Sequence, residues 1–402
     1  MHPIKKRLLY ILLIFSLFFS ACASFQESPP LLTREPYLQS ITNNSVIITF
    51  NTPSPVTATV TYHSSPFDSA FRIDHQATKH HAILLDHLQP GTTYIYTITI
   101  GNIALHQKSY YFTTDNPSQS SVHFAVVGDI GAEHGFQKKI INTILTLPQQ
   151  PAFLLIAGDV VYPHGLSQYY DINLFNYLKD LAPHTPIFPA LGNHDWNSDP
   201  KTNFEQEWEL PNNEHYYSFD YGNAHFTILD SLDSGNVLFD EENQTRWLIH
   251  DLATHQNKQW RFVMAHYPGI TCTYKPNSTA IIKLYPIFEQ YHVDIYFTGH
   301  AHTYERLYPI QAQIPNSTLD PNYINPLSFI TITTGAAGRL EKNWQPNPSC
   351  FFAAKLQNTA HFVDVKILTN TLFLTAYNQS GAAFDHITVL KTGNNTLQQN
   401  QE

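Results

Sequence analysis

Positive charge is scarce in this sequence: 22 Lys and Arg stand against 32 Asp and Glu in 402 residues, a formal net charge of −10. That excludes the clustered cations with which a protein grips nucleic-acid polymers. Long apolar runs are equally wanting, since the stretch from Leu8 to Phe19 is too short to span a bilayer comfortably. Cysteine occurs only at positions 22, 272 and 350, so no cysteine framework holds the chain together. No internal repeat is visible. What remains is a globular composition, 43% hydrophobic and 13% aromatic, in a chain long enough for two domains with a sizeable core. The 22 His residues would charge below about pH 6.5, so net charge swings strongly in acid surroundings.

The N-terminus reads as an address. Lys5, Lys6 and Arg7 precede the apolar run, and Phe19-Ser20-Ala21-Cys22 follows it, giving the three-part form of a secretory signal. The small residue before Cys22 resembles the lipobox of bacterial lipoproteins, in which the Cys becomes the lipidated first residue of the mature chain. Phe19 departs from the usual aliphatic residue there. The expectation is a signal over 1–22 with lipidation at Cys22, and attachment to a bacterial membrane, the outer one by the pattern of Ala23. The alternative is a plain signal cleaved near Ala21 or Ala23, releasing a periplasmic or secreted protein. Export would permit Cys272 and Cys350 to pair, at about 4 kcal/mol in the chain-entropy model; two buried free thiols are the other reading. Sequons such as Asn243-Gln244-Thr245 and Asn316-Ser317-Thr318 read as chance in an Asn-rich chain.

Composition divides the rest. A tether over 23–32 with Pro29-Pro30 leads into 33–115, where runs such as SVIITF, TATVTY, HAILLD, TYIYTITI and SYYFTT, broken at Asn43-Asn44, Pro53–Pro55, Pro66 and Pro90-Gly91, predict short strands in an all-β sandwich. Leu88–Tyr94 resembles the tyrosine corner of fibronectin type III domains. His80-His81 reads as an exposed pair on a strand. From 121 to 392 strands alternate with helical patterns, Phe136, Ile140, Ile141, Ile144 and Leu145 first, then Ile172, Phe175, Leu178 and Leu181, then Trp247, Leu248 and Leu252. An α/β or α+β domain follows, its sheets flanked by helices. Strands near the end lack intervening helices and predict a second sheet that is mixed or antiparallel. The Pro-rich stretch from Pro309 to Pro326 reads as a lid or rim loop, and 393–402 as a polar tail.

Seven donors occupy the ends of five apolar runs in that second region: Asp129, Asp159 with Tyr162, Asn193, His266, and His300 with His302. Strands ending together would gather them into one pocket. Two carboxylates, three imidazoles, an amide oxygen and a phenol exceed the needs of one tetrahedral zinc, and suit two hard or borderline metals. Four of the five turns carry Gly, which lets backbone approach an ion or phosphate closely.

The blocks GDIG (128–131), GDVVY (158–162), GNHD (192–195), VMAH (263–266) and GHAH (299–302) resemble the signature blocks of purple acid phosphatases, within the metallophosphoesterase superfamily. The stretch 34–50, YYSFDYGNAHFTILD at 216–230 and HAHTYER at 300–306 are similar to family segments, so the resemblance covers about 34–390. It implies a fibronectin type III-like domain followed by a metallophosphoesterase domain. It also implies a binuclear centre of Fe(III) plus a divalent Fe, Zn or Mn. Asp129, Tyr162 and His302 would hold one metal, Asn193, His266 and His300 the other, and Asp159 would bridge them. Two carboxylates, a phenolate and a hydroxide would leave such a pair with residual positive charge, which favours a phosphate dianion.

The implied reaction is metal-assisted hydrolysis of phosphate esters, with His194 orienting phosphate or protonating the leaving oxygen. Tyr267, Pro268 and Tyr274 stand where plant-type relatives carry further His residues. His164 reads as rim, Asp195 as loop support, and Glu305 with Arg306 as a structural ion pair. The expected activity is an exported acid phosphatase acting on phosphorylated small molecules or nucleotides. A phosphodiesterase or nucleotidase on the same site is the alternative. A surface adhesion protein with a relic metal domain is the reading from another class; loss of a donor would mark it, and no donor is lost.

Overall fold

The computed structural model describes residues 31–105, 110–132, 135–231, 238–273, 275–311, 314–315, 321–342, 344–347 and 350–392. The signal, Cys22, nearly all of the tether, the tail, Tyr274 and the sequon at Asn316 lie outside them.

Residues 34 to 113 form one six-stranded antiparallel sheet. Its strands are not all short. SVIITF and TATVTY, expected as two strands, run on as Val46–His63, because bulges between Asn51 and Ala58 absorb the Pro53–Pro55 segment without breaking the pairing to Ala70–Leu85. The two halves of Val46–His63 pair along the same edge with Arg34–Gln39 and with Thr93–Ile100. Tyr94 Oη accepts from the Gln89 N–H at 2.9 Å, closing the turn that Pro90-Gly91 opens. His80-His81 is not an exposed pair: successive strand residues face opposite sides, so His81 points inward in phase with Ile83 and Leu85, against Phe50.

Between Thr113 and Ser121 the chain passes into two mixed seven-stranded sheets that pack face to face. The first carries Ser121–Val127, Phe153–Ile156 and Ile187–Pro189 in parallel. Its other side is antiparallel, through His361–Leu368, Thr371–Asn378 and Ala383–Leu390. Asn322–Ile324, inside the stretch expected as a loop, adds an edge strand there. The second sheet carries Ala224–Ile228, Trp260–Met264, Ile295–Thr298 and Ile330–Thr334 in parallel. The late strands are thus divided between both sheets.

Aromatic side chains fill the space between the sheets. Phe124 meets Phe226 and Phe262 edge-on at centroid distances of 5.1 and 5.3 Å, and Phe153 meets Phe226 at 5.1 Å. Helix Phe136–Leu145 buries Ile140, Ile141 and Ile144, as the 3-and-4 spacing requires. Helix Glu241–Thr254 lays Leu248 and Leu252 over the outer side of the second sheet, with Val263 and Tyr296. The expected helix through Ile172 and Leu181 is broken into a wide turn, Asp171–Phe175, and a single α turn, Asn176–Leu178.

The N-terminal sheet docks by polar contacts at its edge. Arg34 lies buried, reaching Asp171 at 2.6 Å and Glu207, with its guanidinium 4.2 Å from the Phe175 ring centre. Tyr96 Oη donates to the Pro183 carbonyl. Cys272 and Cys350 form a disulfide, their Cα atoms 5.4 Å apart. Glu305 and Arg306 do not pair. Adjacent residues of strand Tyr304–Leu307 face opposite ways, so Arg306 grips Asp385 at 2.7 and 3.0 Å, while Glu305 accepts from Thr271 and the Cys272 N–H.

Candidate metal centre

Every expected donor follows the C-terminal end of a parallel strand. Asp129, Asp159 and Asn193 follow Ser121–Val127, Phe153–Ile156 and Ile187–Pro189 in one sheet, while His266 and His300 follow Trp260–Met264 and Ile295–Thr298 in the other. The facing sheets therefore present their carboxyl edges to one crevice, where open α/β sheets place ligands. Turning off the strands is not free. Asp129, Asp159 and His300 have φ of 55°, 48° and 65°, left-handed conformations that cost non-glycine residues energy and cluster at functional sites.

The seven side chains form two groups that share Asp159. In one, Tyr162 Oη lies 2.6 Å from Asp159 Oδ2, 2.9 Å from Asp129 Oδ1 and 3.3 Å from His302 Nε2. In the other, Asn193 Oδ1 lies 3.1 Å from His266 Nε2 and 2.9 Å from His300 Nδ1, and His266 Nε2 is 3.3 Å from Asp159 Oδ1. One carboxylate thus offers an oxygen to each group.

Backbone groups aim these donors. His266 Nδ1 meets the Ala157 carbonyl at 2.9 Å; a carbonyl only accepts, so that nitrogen carries a proton and Nε2 is the nitrogen left facing the pocket, able to offer a lone pair to a cation. The His300 N–H holds Asp129 Oδ2 and the His194 N–H holds Asp159 Oδ1, both at 2.8 Å. Asp195 accepts from the N–H groups of Val160, Val161 and Gly192, tying the second block to the third. A Cβ on Gly299 would stand 2.6 Å from Asp129 Oδ2, and one on Gly192 would collide with Asp159.

The electrostatics suit bound cations. Burial opposes charge on Asp159, but the nearby His266 and His194 and the Tyr162 hydroxyl outweigh it and hold the carboxyl down to about 2. Burial, with His266 beside it, pushes His300 down to about 2, leaving a neutral imidazole. Desolvation and the charges of Asp129 and Asp159 push the Tyr162 phenol well above its ordinary range. A phenolate among these carboxylates requires a strongly Lewis-acidic partner. Chemistry and aim of the donors both fit two metal ions.

Asp129, Asp159 and His266 are deeply buried, whereas the His194 side chain stays about a quarter exposed. His194 Nδ1 must donate to the Pro163 carbonyl, and Nε2 stands 4.0 Å from Asp159 Oδ2. His164 is exposed. Tyr267 is buried, its ring 4.2 Å from that of His300. Two contributions escaped sequence reasoning. Arg339 places its guanidinium carbon 4.6 Å from the Tyr162 ring centre; the Gly335 and Gly338 that flank its turn were the available signal. Asp230 takes the Trp196 indole N–H at 3.0 Å and faces His215 at 2.7 Å, bracing the helix Asn193–Trp196.

A second grouping, Asp220, His225 and His255, also brings its donor atoms within 4.8 Å of one another. Here both nitrogens of His225 already face carboxylates, Asp220 at 2.8 Å and Asp251 at 2.9 Å. The His225 and His255 rings stack 3.8 Å apart and nearly parallel, so their in-plane lone pairs cannot converge on one ion.

Comparisons with known proteins agree with the geometry. The family model for calcineurin-like phosphoesterases matches residues 122–304. Acid phosphatase type 7 of Danio rerio is 26% identical over 87% of this chain and 88% of its own length. The chain carries a calcineurin-like phosphoesterase domain and is similar to purple acid phosphatases. Purple acid phosphatase 21 of Arabidopsis thaliana is 28% identical over 64% of this chain, which spans 58% of that relative. A solved purple acid phosphatase from yellow lupin seeds has the same fold, with a TM-score of 0.76 at 19% identity over 90% of this chain and 75% of that one. The protein is a phosphoester hydrolase, and its likeness to purple acid phosphatases fits a binuclear metal centre.

Proposed function

We propose that this protein is a purple acid phosphatase, an exported acid phosphomonoesterase with Fe(III) beside a divalent Fe, Zn or Mn ion. The observation that carries the reading is the division of Asp159, one oxygen toward Tyr162, Asp129 and His302, the other toward His266 and the Asn193 group. Tyr162 is the donor that favours ferric iron, because an oxygen anion in a buried, carboxylate-rich pocket gains most from the higher charge. Bound there, the two ions would supply Lewis acidity to a phosphoryl group and to the attacking water.

The chain's own residues do the rest. Asp129 and Asp159 are held in place by backbone N–H groups, so the donors need little rearrangement as charge develops. His194, fixed through Nδ1, presents Nε2 on the open side of the pocket, where it can hand a proton to a leaving oxygen. Lipidation at Cys22, or simple cleavage of the leader, belongs to the same proposal and rests on the sequence alone.

A substrate panel of monoesters, diesters and nucleotides across pH, run with defined metals, tests the function. Turnover of monoesters in acid with two metal equivalents is expected; diester turnover without monoester turnover would sink the monoesterase reading. Persistence of a tyrosinate-to-iron absorption in Tyr162→Phe would remove Tyr162 from iron. Equal labelling of wild type and Cys22→Ser by palmitate would end the lipoprotein reading.

A further inference from the structure

We infer that Arg339 is a specificity-determining residue that reads the third terminal oxygen of a phosphate monoester, an inference that rests on the phosphoesterase reading of the site. Arg339 follows strand Ile330–Thr334 on a turn whose backbone is bonded to the donor loops on both sides. The Ala337 N–H donates to the Gly128 carbonyl at 3.1 Å, the Gly338 N–H to Asp129 at 3.1 Å, and the Glu341 N–H to His302 at 3.2 Å. A side chain at Gly338 would strike the Ile130 and Asp129 carbonyls, so the turn can lie this close only as glycine. Arg339 is thereby fixed at the rim of the first donor group.

Its guanidinium has an unusual environment. It is half-buried over the Tyr162 ring, and among the described residues no carboxylate or carbonyl pairs with it. The other buried guanidiniums differ: Arg34 holds Asp171 and Glu207, Arg306 holds Asp385, and Arg261 bonds three backbone carbonyls. A guanidinium stacked by one face keeps its in-plane N–H donors available, and donors in a partly desolvated site need acceptors.

Phosphate chemistry supplies them. A monoester dianion carries three terminal oxygens and two charges, whereas a diester carries two such oxygens and one charge. With two oxygens turned to the donor cluster, a monoester has a third to accept from Arg339, and a diester has an esterified oxygen there that accepts poorly and carries bulk. A planar cation beside the cluster therefore favours monoesters, and it holds inorganic phosphate, the product, in the same way.

The test compares wild type, Arg339→Met and Arg339→Lys as metal-loaded proteins. Arg339→Met is expected to lower kcat/KM for an aryl phosphate monoester by about 10–100-fold, with diester turnover changed less than about threefold. Calorimetric titration with inorganic phosphate should show binding weakened by about tenfold or more, with metal content and visible absorption retained. Arg339→Lys should recover part of both, since the charge remains without the fork. Equal losses on monoester and diester, or unchanged phosphate binding, would leave Arg339 as a prop for Tyr162 and overturn the inference. Wild type that binds two metals yet cleaves no ester would overturn the phosphoesterase reading itself, an outcome distinct from an active wild type indifferent to Arg339.

Discussion

Two clusters in this protein use the same residue types to opposite ends. At the strand ends, Asp129, Asp159 and His266 turn donor atoms toward a common space, and the Ala157 carbonyl occupies the one imidazole nitrogen that faces away. Beside the N-terminal sheet, Asp220, His225 and His255 are as closely gathered, yet both nitrogens of His225 are taken by carboxylates. The difference lies in which groups meet the second nitrogen. A carbonyl there frees a lone pair for a cation; a carboxylate at each nitrogen fixes an imidazolium. Proximity of His and Asp is therefore a poor guide to a metal site until the partners of each nitrogen are known.

The sharpest way to break the contrast is Asp159→Ala against Asp220→Ala. The first is expected to lower phosphatase kcat by roughly 10²–10³-fold or more and to bring bound metal below two equivalents by elemental analysis. The second should keep full metal content and activity within about threefold, a surface-type effect. Metal loss in Asp220→Ala would show that the second cluster binds an ion after all.

Stability against pH separates the clusters next. Burial opposes charge on His225, but the hydrogen bonds and charges of Asp220 and Asp251 outweigh it and raise its pKa. Both carboxyls feel the same burial, and the His225 hydrogen bond leads the contacts that hold them low. A raised imidazole contributes fully below its ordinary value of about 6.5 and loses that contribution as pH climbs through the folded value. The lowered carboxylates contribute above about 4 and lose theirs as pH falls through their folded values. The network thus stabilises most between about pH 4 and 6.5. His225→Asn should cost roughly 3 kcal/mol at pH 5.5 and less at pH 9 in urea titrations; a pH-independent loss would mean that His225 acts by packing alone.

Metal titration gives a slightly smaller effect. Ions at about 100 times their Kd should stabilise the fold by about 2.7 kcal/mol, seen as a rise in Tm that Asp159→Ala abolishes and Asp220→Ala retains. The smallest expected change is His255→Phe, which keeps the ring stack and loses one hydrogen bond to the Asp251 carbonyl. About 1 kcal/mol is expected, with metal content untouched.

Much of the donor set was legible because strand ends announce themselves. A run such as FLLIA closing on Gly158-Asp159 must leave the sheet there, and five such exits place seven donors in order. The aim of His266 was not legible, since the Ala157 carbonyl that sets its tautomer lies 109 residues away in sequence. Adjacency in sequence suggests that Arg306 pairs with Glu305, while strand alternation sends the two side chains to opposite faces. The same alternation turns His81 inward while His80 faces the other side, and Pro53–Pro55, which suggest a turn in sequence, are accommodated by bulges within the continuous strand Val46–His63.

Composition and local pattern, then, determined that this chain is a two-part β-rich and α/β protein carrying seven metal-type donors. Those properties depend on residue type and on spacing within single segments. Tertiary structure alone decided that one Asp–His cluster faces an open pocket and the other closes on itself, and that Arg339 reaches Tyr162 from 177 positions away in the numbering. The physical reason is that hydrogen-bond partners and desolvation are set by what the fold brings across from distant strands, and no local window contains them.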